Sequence, residues 1–216
     1  MKIKSLSMTV LILNIAMCSI AQVAGTFKDS RDGKTYKTVK IGTQTWMATN
    51  LAFKANSGCW AYDNNKTNAI TYGYLYNWET AKKACPAGWH LPSMAEWTTL
   101  TDFTGGDKTA GNKLKEAGSK HWASPNAGAT NASGFTALPG GGRQEDGQFT
   151  NIKVNGNWWT TDIKTITENS TKTTTTFYEG IVMSGDPDYP LEINSSVDNS
   201  SNNKEAGCSV RCIKNK

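Results

Sequence analysis

Hydrophobic positions fall in two regimes along this chain. Residues 6–17 form one mostly apolar run, broken only by Ser7, Thr9 and Asn14, with Lys2 and Lys4 before it and Ser19-Ile20-Ala21 after it. A basic start, a short apolar stretch and small residues at a cleavage point describe a secretory leader over residues 1–21, cut between Ala21 and Gln22. A cut after Ala24 is the second choice. The run falls short of the ~20 residues that span a bilayer, and no later stretch reaches that length. Ile15-Ala16-Met17-Cys18 invites comparison with a lipoprotein box, but Met17 stands where such a box has a small residue. The unlipidated reading is preferred.

Beyond the leader the apolar positions come in short segments. Residues 27–41 read as a β-hairpin, with Asp32-Gly33 at a turn where glycine tolerates positive φ. Tyr36 and Thr38 alternate there with Lys37, Val39 and Ile41. Residues 78–84 predict a short helix capped by Asn77 and stopped by Pro86. Residues 94–103 predict a second, where Ser93 and Glu96 make a capping box and Met94, Trp97, Leu100 and Thr101 share one face. A third helix is expected near 109–117, closed by Gly118. Later, residues 135–138, 158–161, 175–183 and 209–213 read as strands. The Thr-rich stretch 164–176 and the Asn/Ser-rich stretch 194–204 read as solvated loops or exposed hairpin ends.

Composition narrows the class. A mature chain of about 195 residues suits one domain with a real core, expected over 27–216 after a short segment 22–26. Without Lys2 and Lys4 the formal net charge falls from +5 to +3, and no Lys/Arg cluster remains to bind nucleic acid. Eight tryptophans and 20 glycines describe a loop-rich fold held by aromatics and turns. Trp46, Trp78, Trp89 and Trp97 are expected in the core. Cys59, Cys85, Cys208 and Cys212 survive processing, and an even number in an exported chain favours two disulfides over zinc, since there is no CxxC pair.

Several phrases follow one another in order: Asp32-Gly33-Lys34-Thr35-Tyr36, Gln44-Thr45-Trp46-Met47-Ala48-Thr49-Asn50-Leu51, Tyr72-Gly73-Tyr74-Leu75-Tyr76-Asn77-Trp78, and Cys85-Pro86-Ala87-Gly88-Trp89-His90-Leu91-Pro92. Downstream come Gly134-Phe135-Thr136-Ala137-Leu138-Pro139-Gly140-Gly141-Gly142-Arg143, Trp158-Trp159-Thr160-Thr161 and Ser209-Val210-Arg211-Cys212. Over about residues 27–214 this set resembles the Fibrobacter succinogenes major paralogous domain family. The resemblance implies an exported bacterial protein. Its fold is expected to be α+β and C-type-lectin-like, with two or three short helices, a twisted, mostly antiparallel sheet and long loops. It implies no reaction and no catalytic residues. It also favours the pairing Cys85–Cys212, because both lie in recurring phrases, and leaves Cys59 with Cys208.

Candidate chemistry is sparse. His90 reads as a hydrogen-bonded structural histidine, since no nucleophile stands in a catalytic arrangement with it. The run 138–143 reads as a glycine-rich crossing against an aromatic, with anion binding through Arg143 as the alternative. The lectin-like resemblance draws attention to Trp158, Trp159 and Asp162. Side chains alternate along a strand, so one tryptophan should face outward as a stacking platform. Trp159, Asp162 and Arg143 are therefore the candidate ligand-binding residues. Calcium stays a secondary option, because the carboxylates of Asp186-Pro187-Asp188 lack a matching context. The expected role is a surface or secreted binding module for a glycan or another envelope component. An oxidase related to formylglycine-generating enzymes and a purely structural envelope protein are the alternatives.

Overall fold

The computed structural model describes residues 23–185, 192–196 and 203–216. The leader, its cleavage site at Ala21 and Gln22, Cys18 and the Asp186-Pro187-Asp188 run lie outside the described residues, as does part of the Asn/Ser-rich stretch.

The chain opens with β1 (Val23–Lys28), β2 (Thr35–Ile41) and β3 (Gln44–Met47), then β4 (Cys59–Trp60), α1 (Lys66–Tyr72), β5 (Leu75–Tyr76), α2 (Trp78–Ala84) and β6 (Trp89–His90). Helices α3 (Met94–Phe103) and α4 (Asp107–Leu114) follow. The second half holds β7 (Gly140–Arg143), β8 (Phe149–Ile152), β9 (Asn155–Thr167), β10 (Thr174–Ser184), β11 (Glu192–Ser196), β12 (Cys208–Ser209) and β13 (Ile213–Lys214). One sheet runs β1-β2-β3-β13-β6, so the first and last described strands share it. The other runs β11-β10-β9-β12-β5-β4, with β7 and β8 attached beside β9. Pairing is mostly antiparallel, and β9 makes the parallel exceptions with β12 and β7. The fold is α+β, with four α-helices among the described residues rather than two or three. The extra one, α1, begins where the Asn65 side chain accepts the Thr67 N–H.

Local chemistry accounts for the regular elements. The β1–β2 turn closes through Asp29 N–H to Lys34 O and Gly33 N–H to Asp29 O, with Gly33 at φ +75°. The buried Asp29 carboxylate grips Arg31 at 2.7 Å. Helix α3 carries the full capping box of Ser93 and Glu96. Helix α4 stops at Leu114, earlier than expected, because Lys115 turns extended and bridges Ala137.

Two clusters fill the interior, one on each side of the strands. Val39, Ile41, Trp46, Trp97, Phe135, Trp158 and Met183 belong to the first. Tyr36, Met47, Tyr76, Trp78, Trp89, Trp159 and Val210 belong to the second. The same strands feed both: Trp46 and Met47 of β3 part company, as do Trp158 and Trp159 of β9. All four tryptophans expected inside are buried.

Two expected strands differ. Residues 135–138 are not a strand. Thr136 has φ +55°, and the carbonyls of Phe135 and Thr136 turn to Arg211. Residues 209–213 are not one strand either, because the chain leaves the second sheet after Ser209 and joins the first at Ile213. The Thr-rich stretch is the outer end of the β9–β10 hairpin, where Thr167 faces Thr174.

Candidate functional site

Arg211 is the frame on which one face of the molecule is built. Its guanidinium is wholly buried and donates to Asn50 Oδ1, Met47 O, Phe135 O and Thr136 O, lying 4.3 Å from the Phe135 ring centre. Burial pushes its pKa down to about 9, so it remains a cation at neutral pH. Asn50 Oδ1 also accepts the Trp158 indole N–H at 2.9 Å, and its amide donates to Tyr72 O and Ser209 Oγ. One side chain thus ties the segment after β3 to α1, β9 and β12.

Asn50 is also the floor of a groove of about 420 Å³. Lys34, Thr35 and Tyr36 form one wall, α1 with Lys66 and Ile70 forms the other, and Thr49, Ala52 and Tyr74 complete it. The volume lies within the ~300–1,000 Å³ of ordinary ligand sites. Gly73 sits at φ +80°, and a Cβ there would meet Leu51 O at 2.6 Å, so close backbone contact fixes this wall. Lys34 Nζ donates to Ala52 O, pairs with Asp32 at 3.2 Å and lies 6.0 Å from the Tyr74 ring centre. The Tyr36 hydroxyl accepts the Ala52 N–H, and burial pushes that phenol up to about 12, so it stays protonated. Ile70 is 84% exposed at the lip. A smaller cavity of about 280 Å³ lies between β3, α3 and β13, lined by Gln44, Glu96, Thr99 and Lys214.

The residues proposed from sequence go elsewhere. Trp159 is fully buried, and its indole N–H donates to Tyr76 O at 2.7 Å, so it is not an exposed platform. Trp158 is equally buried, because β9 has a core on both faces. Asp162 accepts the Met94 N–H at 2.7 Å and so caps α3 from the neighbouring strand. Arg143 stacks 4.1 Å over Trp60 and exchanges backbone bonds with Gly207. These three side chains serve separate local structures. In the run 138–143, a Cβ on Gly141 would meet Thr150 O at 2.4 Å, as a tight backbone crossing requires. His90 bridges Glu96 at 2.9 Å and Asn215 at 2.7 Å.

Cys85 and Cys212 form a disulfide with Cα atoms 5.9 Å apart. Cys59 and Cys208 are not joined to each other, contrary to expectation. Both pair with Tyr76, from opposite sides of β5, which sets them two strand spacings apart, about 10 Å. A bridge needs Cα atoms within about 7 Å. The groove went unnoticed in the sequence because its residues come from separated segments, and Ala52, Lys66, Ala69, Ile70 and Thr71 lie outside the quoted phrases. The common signal was available: Lys34, Thr49, Asn50, Gly73 and Tyr74 all lie in the recurring set.

Fold and site together define an α+β domain with two aromatic cores, the Cys85–Cys212 disulfide and a groove floored by a buried Asn–Arg network. The chain matches the Fibrobacter succinogenes major domain over residues 39–214 and belongs to that family. No curated protein and no solved structure matches it. Among the described residues, no helix is long and apolar enough to cross a membrane.

Proposed function

We propose that this chain is exported, cleaved before Gln22, and acts at the bacterial surface or outside the cell as a binding module for a glycan or another envelope component. The observation that carries the reading is the groove between β2 and α1. It combines a half-buried aromatic ring at Tyr74, an exposed Ile70, and hydroxyl groups from Thr35, Thr49 and Thr71. Sugar rings present apolar C–H faces and a hydroxyl rim, and aromatic rings with polar neighbours complement both. The floor is held by Asn50 and Gly73, so binding would require little reorganisation.

The lectin-like resemblance supports the same role without fixing the site, and calcium is not needed for the contacts named. Thiol chemistry is not adopted as an alternative. Burial pushes the Cys59 thiol up, which opposes the thiolate a nucleophile needs.

The test is a glycan array and an envelope-fraction pulldown with the mature chain, followed by titration of any hit against Tyr74→Ala and Ile70→Ser. Ile70 is exposed, so its replacement should leave the melting temperature unchanged. Binding should weaken by about tenfold for Tyr74→Ala, in line with the loss of a ring contact of ~1–1.5 kcal/mol. Equal binding by all three proteins would remove the groove. No ligand in either screen would remove the binding reading.

A further inference from the structure

We infer that the groove selects a saccharide carrying an acidic group over its neutral counterpart, an inference that rests on the binding-module reading. Its basis is the charge of the walls. Lys34 stands on the β2 side and Lys66 on the α1 side, and no Asp or Glu lines the groove between them. Their contributions differ. Lys34 is anchored by Ala52 O and Asp32, which offset part of its charge and leave one of its three N–H donors for a ligand. Lys66 makes no ion pair among the described residues, and the first turn of its own helix contains no acidic side chain. Lys66 therefore supplies the uncompensated positive charge, and Lys34 supplies a positioned donor.

The rest of the lining separates a sugar acid from an acidic peptide. Extended peptides commonly bind by adding a strand to an open sheet edge. Here Thr35 and Tyr36 are already paired along one edge with Lys28 and Phe27 of β1, which leaves recognition on that wall chiefly to side chains. Those side chains are hydroxyls and an aromatic ring, the complement of a pyranose. A carboxylate on such a ring would meet the ammonium groups at either wall while its C–H face rests on Tyr74 and Ile70.

The experiment uses the mature chain and three probes: a tetramer of galacturonic acid, the carboxyl-reduced neutral galactose tetramer, and a tetraglutamate peptide. Affinities are measured by calorimetry at low and physiological salt. The acidic tetramer should bind about three- to tenfold tighter than the neutral one, the range expected for one or two exposed ion pairs. The preference should shrink with salt and fall by at least about twofold in Lys66→Gln, with unchanged melting. Equal binding of the acidic and neutral tetramers would overturn the inference, as would equal or tighter binding of the peptide. If neither tetramer binds while the glycan screen yields neutral ligands that depend on Tyr74, the acidic preference falls and the binding reading stands. If no glycan or envelope component binds at all, both fall.

Discussion

Arg211 shows how far one residue can depart from its expected place. A charged side chain predicts surface, yet this one is fully buried and meets neutral acceptors only: three carbonyls and Asn50 Oδ1. The planar guanidinium with five donors can serve all of them at once. Nothing in the local pattern of Ser209-Val210-Arg211-Cys212 reveals this, because the acceptors lie in segments remote in sequence. The resemblance drew attention to the phrase without giving its role. Lys at this position keeps the charge but offers three donors from a compact ammonium. Arg211→Lys should lose about 3–5 kcal/mol in denaturant unfolding, the usual cost of breaking a buried charged network. Stability within 1 kcal/mol of wild type would show that the network is dispensable. Asn50→Ala, which removes the shared acceptor, should lower both stability and groove binding.

At the scale of elements, the helices were the most legible part. Asn77, Ser93, Glu96 and Pro86 are local signals, and α2 and α3 begin and end where those signals place them. The strands were less legible, because period-two alternation identifies an outward face only when one side of a sheet meets water. Strand β9 has a core on each side near Trp158 and Trp159, so alternation places each tryptophan in a different core rather than placing one outside. Helix α3 also carries a pH-sensitive cap. Burial alone would raise the Glu96 carboxyl, but the Ser93 N–H, His90 and the Ser93 hydroxyl together hold it below its usual 4.5. A lowered folded pKa means that the contribution is complete above the usual value and is lost as pH falls below it. Wild type should therefore lose stability more steeply than Glu96→Gln as pH drops from about 5 to 3. Parallel melting curves for the two proteins across that range would refute this role for Glu96.

At the scale of the whole molecule, the two sheets are joined by a segment that changes sheets between Ser209 and Ile213, and the disulfide fastens that segment. Cys85 is the C-cap of α2, and Cys212 lies in the crossing, where its carbonyl accepts the Met47 N–H. The bridge closes a loop with a sequence separation of 127, for which the loss of chain entropy in the unfolded state contributes roughly 4–5 kcal/mol. The double variant Cys85→Ala/Cys212→Ala should thus unfold at a clearly lower denaturant concentration than wild type. Reduction of the wild type should reproduce the shift, since no other bridge joins described cysteines. The placement of Cys59 and Cys208 on opposite sides of Tyr76 gives a sharper check. Non-reducing peptide mapping should recover the pair Cys85 with Cys212, and Cys59→Ser should leave that pair and the unfolding midpoint nearly unchanged. A recovered peptide joining Cys59 to Cys208 would require β4 and β12 to lie together rather than astride β5. That would overturn the strand order of the second sheet, and with it the wall of the groove that continues from β5 into Tyr74.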